Sequence, residues 1–348
     1  MSRERLVSGS SEQNTEQNNG EEEFTWSLRP KTIHEYVGQR SIVNKLSISV
    51  EAAKKRAEPH EHMILYGPPG LGKTTLAYII AQEMDARLVT STGPTLTRIA
   101  DLMGILTNLE RSDILFIDEI HRLPRAVEEF IYPAMEDYRV DFVLDKGPFS
   151  KVINMPLKRF TLIGATTRIG LLSAPLRDRF GMSYHLDFYP VDDIEKIVIR
   201  SAGLLEIEID KEGARVIAGR SRGTPRIANR LLRRVRDYAE VRADGVITAE
   251  IAKVALELEG VDERGLDDLD RSLLKIIIDY YGGGPVGIEA VAATLSEDVD
   301  TLVELVEPYL LKIGFIMRTK RGRVVSQEAY RHLDIPFTGS TQGNLFEQ

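Results

Sequence analysis

Residues 67–74 read GPPGLGKT and satisfy the spacing G-x-x-x-x-G-K-[ST], which turns backbone N–H groups toward the phosphates of a nucleotide. Gly67, Gly70 and Gly72 let the chain curl through Pro68, Pro69 and Leu71. Lys73 then reaches the β- and γ-phosphates and Thr74 offers its hydroxyl to Mg²⁺, with Thr75 beside it at the positive end of a helix. The chemistry indicated is binding of ATP with Mg²⁺.

In ILFIDEI, Asp118 and Glu119 close an apolar run, the place where ligands meet open α/β sheets. Asp118 suits the Mg²⁺ shell. Glu119 is spaced to polarise an attacking water, which points to hydrolysis rather than phosphoryl transfer to a small acceptor. GATT at 164–167 ends the next core strand, and Thr167, ahead of Thr166, is placed to sense the γ-phosphate or the lytic water. Arg226 follows Thr224 and Pro225 in the first turn of a helix, where the dipole disfavours a cation unless an anion compensates. The γ-phosphate is the anion expected. Arg179, in APLRDRFG, lies well beyond the GATT strand and is the candidate for an arginine given in trans, worth about 10³–10⁵ in turnover. A local salt-bridge cluster is the competing account of Arg177, Asp178 and Arg179. Adenine recognition is expected from Leu28, Arg29, Tyr36 and Val37 in LRPKTIHEYVGQ.

Such residues need a sheet to align them. Apolar strands over 62–66, 88–93, 113–120 and 159–167 alternate with helices over 73–84, 95–109 and 124–136. Strands apolar on both faces predict a parallel sheet covered by helices on each side, an α/β P-loop core. Residues 138–156 break the rhythm as an inserted β-hairpin around DKGP. Phe142, Val143, Leu144, Phe149 and Val152 make its tip more suited to a protein partner than to DNA. Helices over 192–203, 210–220, 225–243 and 248–257 predict a small helical lid domain. After a charged joint at 259–268, helices over 266–281, 288–295 and 297–307 precede a hairpin between Ile316 and Val325. Three helices and a hairpin form a winged helix. Arg318, Lys320, Arg321 and Arg323 concentrate positive charge in its wing, whereas 297–307 is acidic. Backbone contact with double-stranded DNA is expected, without base specificity; a winged helix that docks protein is the alternative.

The 348 residues include no cysteine and carry a net charge of −8. Length predicts two or three domains, and the missing thiols exclude disulfides and thiolate metal sites. No apolar run is long enough for a membrane span, and no secretory segment opens the chain, so a cytoplasmic location is expected. Expected boundaries are a polar arm at 1–23, an ATPase domain at 24–187, the lid at 188–258, the winged helix at 259–335 and a tail at 336–348.

GPPGLGKT, FIDEIHRL, GATTRIGLLSAPLRDRFG, RGTPRIANRLLRRVRD, GGGPVGIEAVAATL and LRPKTIHEYVGQ together resemble the RuvB family of bacterial Holliday junction branch-migration motors, within the AAA+ superfamily. The resemblance covers about 24–336 and includes the inserted hairpin and the third domain. It implies a homo-oligomeric, hexameric ring that uses ATP to pull duplex DNA at four-way junctions during recombination and repair. It also implies a RuvA-like junction-binding protein docked on the hairpin and a RuvC-like resolvase in the same pathway. Family roles fall on Lys73, Thr74, Asp118, Glu119, Thr167 as first sensor, Arg179 as trans finger and Arg226 as second sensor. A clamp-loader or initiator-like switch ATPase and a non-catalytic DNA-binding scaffold are the rival readings.

Overall fold

A computed structural model describes residues 27–143 and 152–337. The expected arm at 1–23, Leu144 and Phe149 of the hairpin, and 338–348 of the expected tail lie outside the described residues. The chain divides into two compact units, one reaching to Ile207 and including Thr224–Asn229, the other holding Glu208–Gly223 and continuing from Arg230.

In the first unit, β1 (Met63–Tyr66), β2 (Leu88–Thr92), β3 (Ile114–Asp118), β6 (Thr161–Thr166) and β7 (Met182–His185) form a parallel sheet in the order β2-β3-β6-β1-β7. Ile114–Ile117 and all of β6 are buried, as expected for strands covered on both faces. Because β6 lies between β1 and β3, three strand ends emerge side by side: Tyr66 pairs with Thr166, and Ile117 with Gly164. The phosphate loop, the acidic pair and the threonines therefore share one edge of the sheet.

Helices α1 (Arg40–Arg56), α2 (Lys73–Glu83), α3 (Ile99–Thr107), α4 (Arg125–Glu136), the short α5 (Ala174–Arg177) and α6 (Val191–Leu204) complete this unit. Val127, Phe130, Ile131, Ala134 and Met135 of α4 pack into one core with Leu115, Ile117, Leu176 and Phe180. Strands β4 (Arg139–Val143) and β5 (Val152–Pro156) form the inserted antiparallel hairpin, with Phe142 opposite Ile153 and Val143 opposite Val152. Its root is fastened by Val140, which is fully buried in that core.

The second unit begins with α7 (Lys211–Arg220), capped by Asp210, and includes α9 (Ala249–Leu258), capped by Thr248. Helix α8 (Pro225–Arg242) starts in the first unit and runs into the second. Then come α10 (Asp268–Tyr281), α11 (Ile288–Leu295), α12 (Val299–Thr301), a π-helical turn at Leu302–Val306 and α13 (Glu307–Lys312). The wing is β8 (Ile316–Thr319) paired with β9 (Gly322–Val325), followed by α14 (Gln327–His332). The helix expected at 297–307 thus extends to Lys312 through a π turn. Pro308, which has no N–H to give, lies just after that turn.

Candidate nucleotide-binding site

Gly67, Gly70 and Gly72 adopt φ of 142°, 76° and 98°. A Cβ at Gly67 would lie 2.2 Å from the Leu186 carbonyl oxygen, and one at Gly72 would lie 2.7 Å from the Tyr36 hydroxyl. These positions tolerate only glycine. Gly72 caps α2 without a side-chain acceptor, and the first turn of α2 contains no acid. A helix N-terminus with neither a side-chain cap nor an acid suits an external anion. Lys73 is buried, and its Nζ donates to the carbonyls of Gly67 at 2.8 Å and Pro68 at 3.0 Å. Thr74 and Thr75 are half-buried behind it. A glycine cradle, an uncapped helix N-terminus and an ammonium at its base fit a nucleotide triphosphate.

At the end of β3, Asp118 accepts a hydrogen bond from the Glu119 N–H at 2.9 Å. Burial pushes the Asp118 carboxyl above its ordinary value, the Glu119 charge adds to this, and Lys73 and Arg226 pull the other way. A divalent cation would relieve that penalty, so Asp118 with Thr74 fits the expected Mg²⁺ pair. Glu119 has φ of 47°, left-handed backbone that a side chain seldom adopts. Gly93 makes this turn possible, since a Cβ there would lie 2.3 Å from the Glu119 carbonyl oxygen.

Glu119 Oε2 accepts from Thr167 Oγ1 at 3.2 Å and lies 3.2 Å from His121 Nδ1. A carboxylate only accepts, so a proton on His121 Nδ1 would be the one shared with Glu119. Thr166 Oγ1 is 2.8 Å from the same nitrogen and accepts from the Arg168 N–H at 3.0 Å. Burial pushes the Glu119 carboxyl up, but the His121 hydrogen bond and charge, with Lys73, outweigh it and hold the group below its ordinary value. Of the two threonines, Thr167 touches the glutamate and Thr166 braces the histidine. His121 is not among the residues expected from the sequence, although it stands two residues beyond Glu119.

Arg226 meets the loop at Gly70. Its N–H donates to the Gly70 carbonyl at 3.4 Å, and a Cβ on Gly70 would come within 3.0 Å of Arg226 Cβ. The side chain is exposed, and its charge reaches Asp118. Phosphate loop, acidic pair, Thr167 and Arg226 are thus brought together within one unit.

Arg179 is not part of that group. Leu176 and Phe180 are buried on either side of it. Its guanidinium lies 4.2 Å from the Tyr132 ring centroid and 3.1 Å from Glu136 Oε1, and donates to the Pro175 carbonyl at 2.7 Å. Arg177 and Asp178, only 4.0 Å apart at their closest charged atoms, are largely exposed. Among the expected adenine contacts, Tyr36 and Val37 border a cleft of about 280 Å³ with Gly38, Val43 and Asn44. The Tyr36 hydroxyl is committed to the Leu71 carbonyl and to Tyr189, so it braces the loop. Leu28 is buried, its carbonyl accepts from Arg200, and the Arg29 guanidinium sits 6.0 Å from the Tyr78 ring.

In the wing, Arg318 and Arg323 were expected to face phosphate, but both grip Glu307, which is 1% exposed. Arg318 Nε donates to it at 2.9 Å and Arg323 Nε at 2.8 Å. Burial pushes the Glu307 carboxyl up, yet the two arginines outweigh it and hold it below its ordinary value. Arg318 remains half exposed and Arg323 is mostly covered, whereas Lys320 and Arg321 at the tip are exposed.

A parallel sheet with this strand order, a glycine-bounded phosphate loop, an aspartate–glutamate strand end and an arginine from a following helix define a P-loop ATPase of the AAA+ class. Residues 28–186 match the Holliday junction DNA helicase RuvB P-loop domain, 189–262 the RuvB AAA lid domain and 263–334 the RuvB C-terminal winged helix domain. The chain belongs to the RuvB family. It is 57% identical over 325 residues to the Holliday junction branch migration complex subunit RuvB of Desulfosudis oleivorans, covering 93% of this chain and 94% of that one. The solved Thermotoga maritima RuvB Holliday junction branch migration motor is 50% identical, with a TM-score of 0.83 over 89% of this chain and 99% of that one. A variant of the T. maritima protein gives the same identity and TM-score over 88% and 98%. Among the described residues no helix is long and apolar enough to cross a membrane.

Proposed function

We propose that this chain is the ATP-hydrolysing motor subunit of a branch-migration complex, acting as a hexameric ring that pulls duplex DNA and moves the crossover of a four-way junction. Glu119 takes a proton from water as its oxygen attacks the γ-phosphorus; the bond to the bridging oxygen breaks, and ADP and phosphate leave. His121 and Thr167 orient that carboxylate, Lys73 and Arg226 neutralise the phosphates from two sides, and Arg179 serves the neighbouring subunit. Thr74 and Asp118 would hold Mg²⁺, which supplies charge neutralisation on the phosphate oxygens. Hydrolysis would release Arg226, and the neighbour would feel the change through Arg179.

The observation that carries this reading is Arg226 against Gly70: the backbone N–H and Cβ of an arginine that opens a following helix meet the phosphate loop itself. On this reading the hairpin of Phe142, Val143, Leu144, Phe149 and Val152 receives a RuvA-like junction-binding protein, a RuvC-like resolvase acts on the same junctions, and the wing contacts duplex backbone. The test is movement of a synthetic four-way junction, with and without the junction-binding partner. ATP-dependent displacement is expected; ATP turnover with a stationary junction would contradict the reading.

A further inference from the structure

Arg222 and Gly223, just before the helix that carries Arg226, are consecutive left-handed residues with φ of 57° and 65°. That conformation suits glycine but crowds the Cβ of an arginine, so a residue held there must be held by its surroundings. For Arg222 the holding is done through the side chain, which is buried. Nε donates to the Gly265 carbonyl at 2.7 Å. Nη2 lies 2.6 Å from both Asp267 Oδ2 and Asp270 Oδ2. The guanidinium carbon is also 5.8 Å from the Tyr309 ring centroid.

All three acceptors open the winged-helix domain. Asp267 caps α10, Asp270 is fully buried in its first turn, and Gly265 belongs to the joint before it. A Cβ on Gly265 would lie 2.4 Å from the Arg220 carbonyl oxygen, so the joint and the end of α7 are in backbone contact. An apolar cluster would fill such a site with less desolvation cost. What a guanidinium fork between two carboxylates adds is a fixed direction.

The boundary between the two units falls between Gly223 and Thr224. On one side of that bond Arg226 is packed on the phosphate loop, and on the other Arg222 is bolted to α10. We propose that Arg222 is a positioning residue that couples the nucleotide state to the DNA-binding domain, locking the turn before Arg226 so that displacement of Arg226 is delivered to the winged helix rather than absorbed by a flexible joint.

This inference rests on the motor reading above and is tested separately from it. The variant is Arg222→Gly combined with Asp270→Asn in the full chain: glycine relaxes the left-handed turn, and asparagine avoids a buried carboxylate without a partner. Arg222→Lys, which keeps the charge and loses the fork, is the companion variant. ATP hydrolysis without DNA and affinity for duplex should stay within about twofold of the parent for both, while base pairs moved per ATP should fall about tenfold in the double variant and less in Arg222→Lys. A double variant that moves junctions with the parental yield per ATP would overturn the proposal, as would loss of DNA-free hydrolysis in step with movement. If the parent itself moves no junction, it is the motor reading that fails.

Discussion

Glu119 combines left-handed backbone, a hydrogen bond from Thr167 and His121 Nδ1 at 3.2 Å, so its orientation is fixed before any substrate arrives. Glu119→Gln is expected to lower phosphate release by about 10²–10⁴ while leaving nucleotide binding intact, measured by steady-state release alongside a fluorescent-nucleotide titration. Because the carboxyl is held below its ordinary value, the base stays ionised into acid, and its activity is lost only as pH falls through that lowered value. His121→Ala removes a group that lowers it, so the acid limb of the pH–rate profile should shift upward; an unmoved limb would show that His121 does not act on Glu119. Most of the site was legible at this scale. Lys73, Asp118, Glu119, Thr167 and Arg226 are expected from the sequence, and the fold brings them together at the end of the sheet. His121 was not, because its partner Thr166 reaches it only after β6 lies beside β3.

Elements impose a second set of constraints. Gly67→Ala should destabilise the first unit and abolish ATP binding, since the added methyl meets a backbone carbonyl rather than a flexible side chain. In α10, Asp270 faces Arg222, Asp267 and Tyr309, and Tyr309 is in turn near Asp262 and Arg264. Burial, with the Asp267 charge adding to it and Arg222 opposing, pushes the Asp270 carboxyl up to about 7. An acid whose folded pKa is raised contributes stability below its unfolded value, and that contribution is lost as pH rises through about 7. Asp267 is shifted the other way, below 3.8, so its own loss comes at more acid pH. The melting temperature should therefore fall between pH 5 and 8 by more in the parent than in Asp270→Asn, and equal slopes would exclude Asp270 as the titrating group. Helices expected at 192–203 and 225–243 run over 191–204 and 225–242, because caps and apolar periodicity act locally. Helix α1 is not among the expected elements, and the acidic helix expected to end at 307 continues to Lys312. The pairing of Arg318 and Arg323 with Glu307 is not visible in the sequence, because nothing local marks Glu307 as the one buried acid of its helix.

At the scale of the whole molecule, the wing and the ring each make a demand. With Arg318 and Arg323 paired to Glu307, Lys320 and Arg321 are the exposed cations at the tip of the wing, and on the proposed reading they meet the duplex backbone. Lys320→Ala and Arg321→Ala should each reduce the slope of log affinity against log salt by about 1, uniformly across DNA sequences. Arg318→Ala should instead loosen the wing and lower the melting temperature. Arg179 packs on Tyr132, Glu136 and the Pro175 carbonyl, and on the proposed reading it completes the nucleotide site of a neighbouring subunit. The direct test mixes two inactive proteins, Lys73→Ala and Arg179→Ala. Where an intact Lys73 subunit adjoins an intact Arg179 subunit, a complete site is restored, and ATP hydrolysis by the mixture should rise clearly above either parent alone. Mixed rings that assemble but stay as inactive as their components would contradict the shared site on which the account depends.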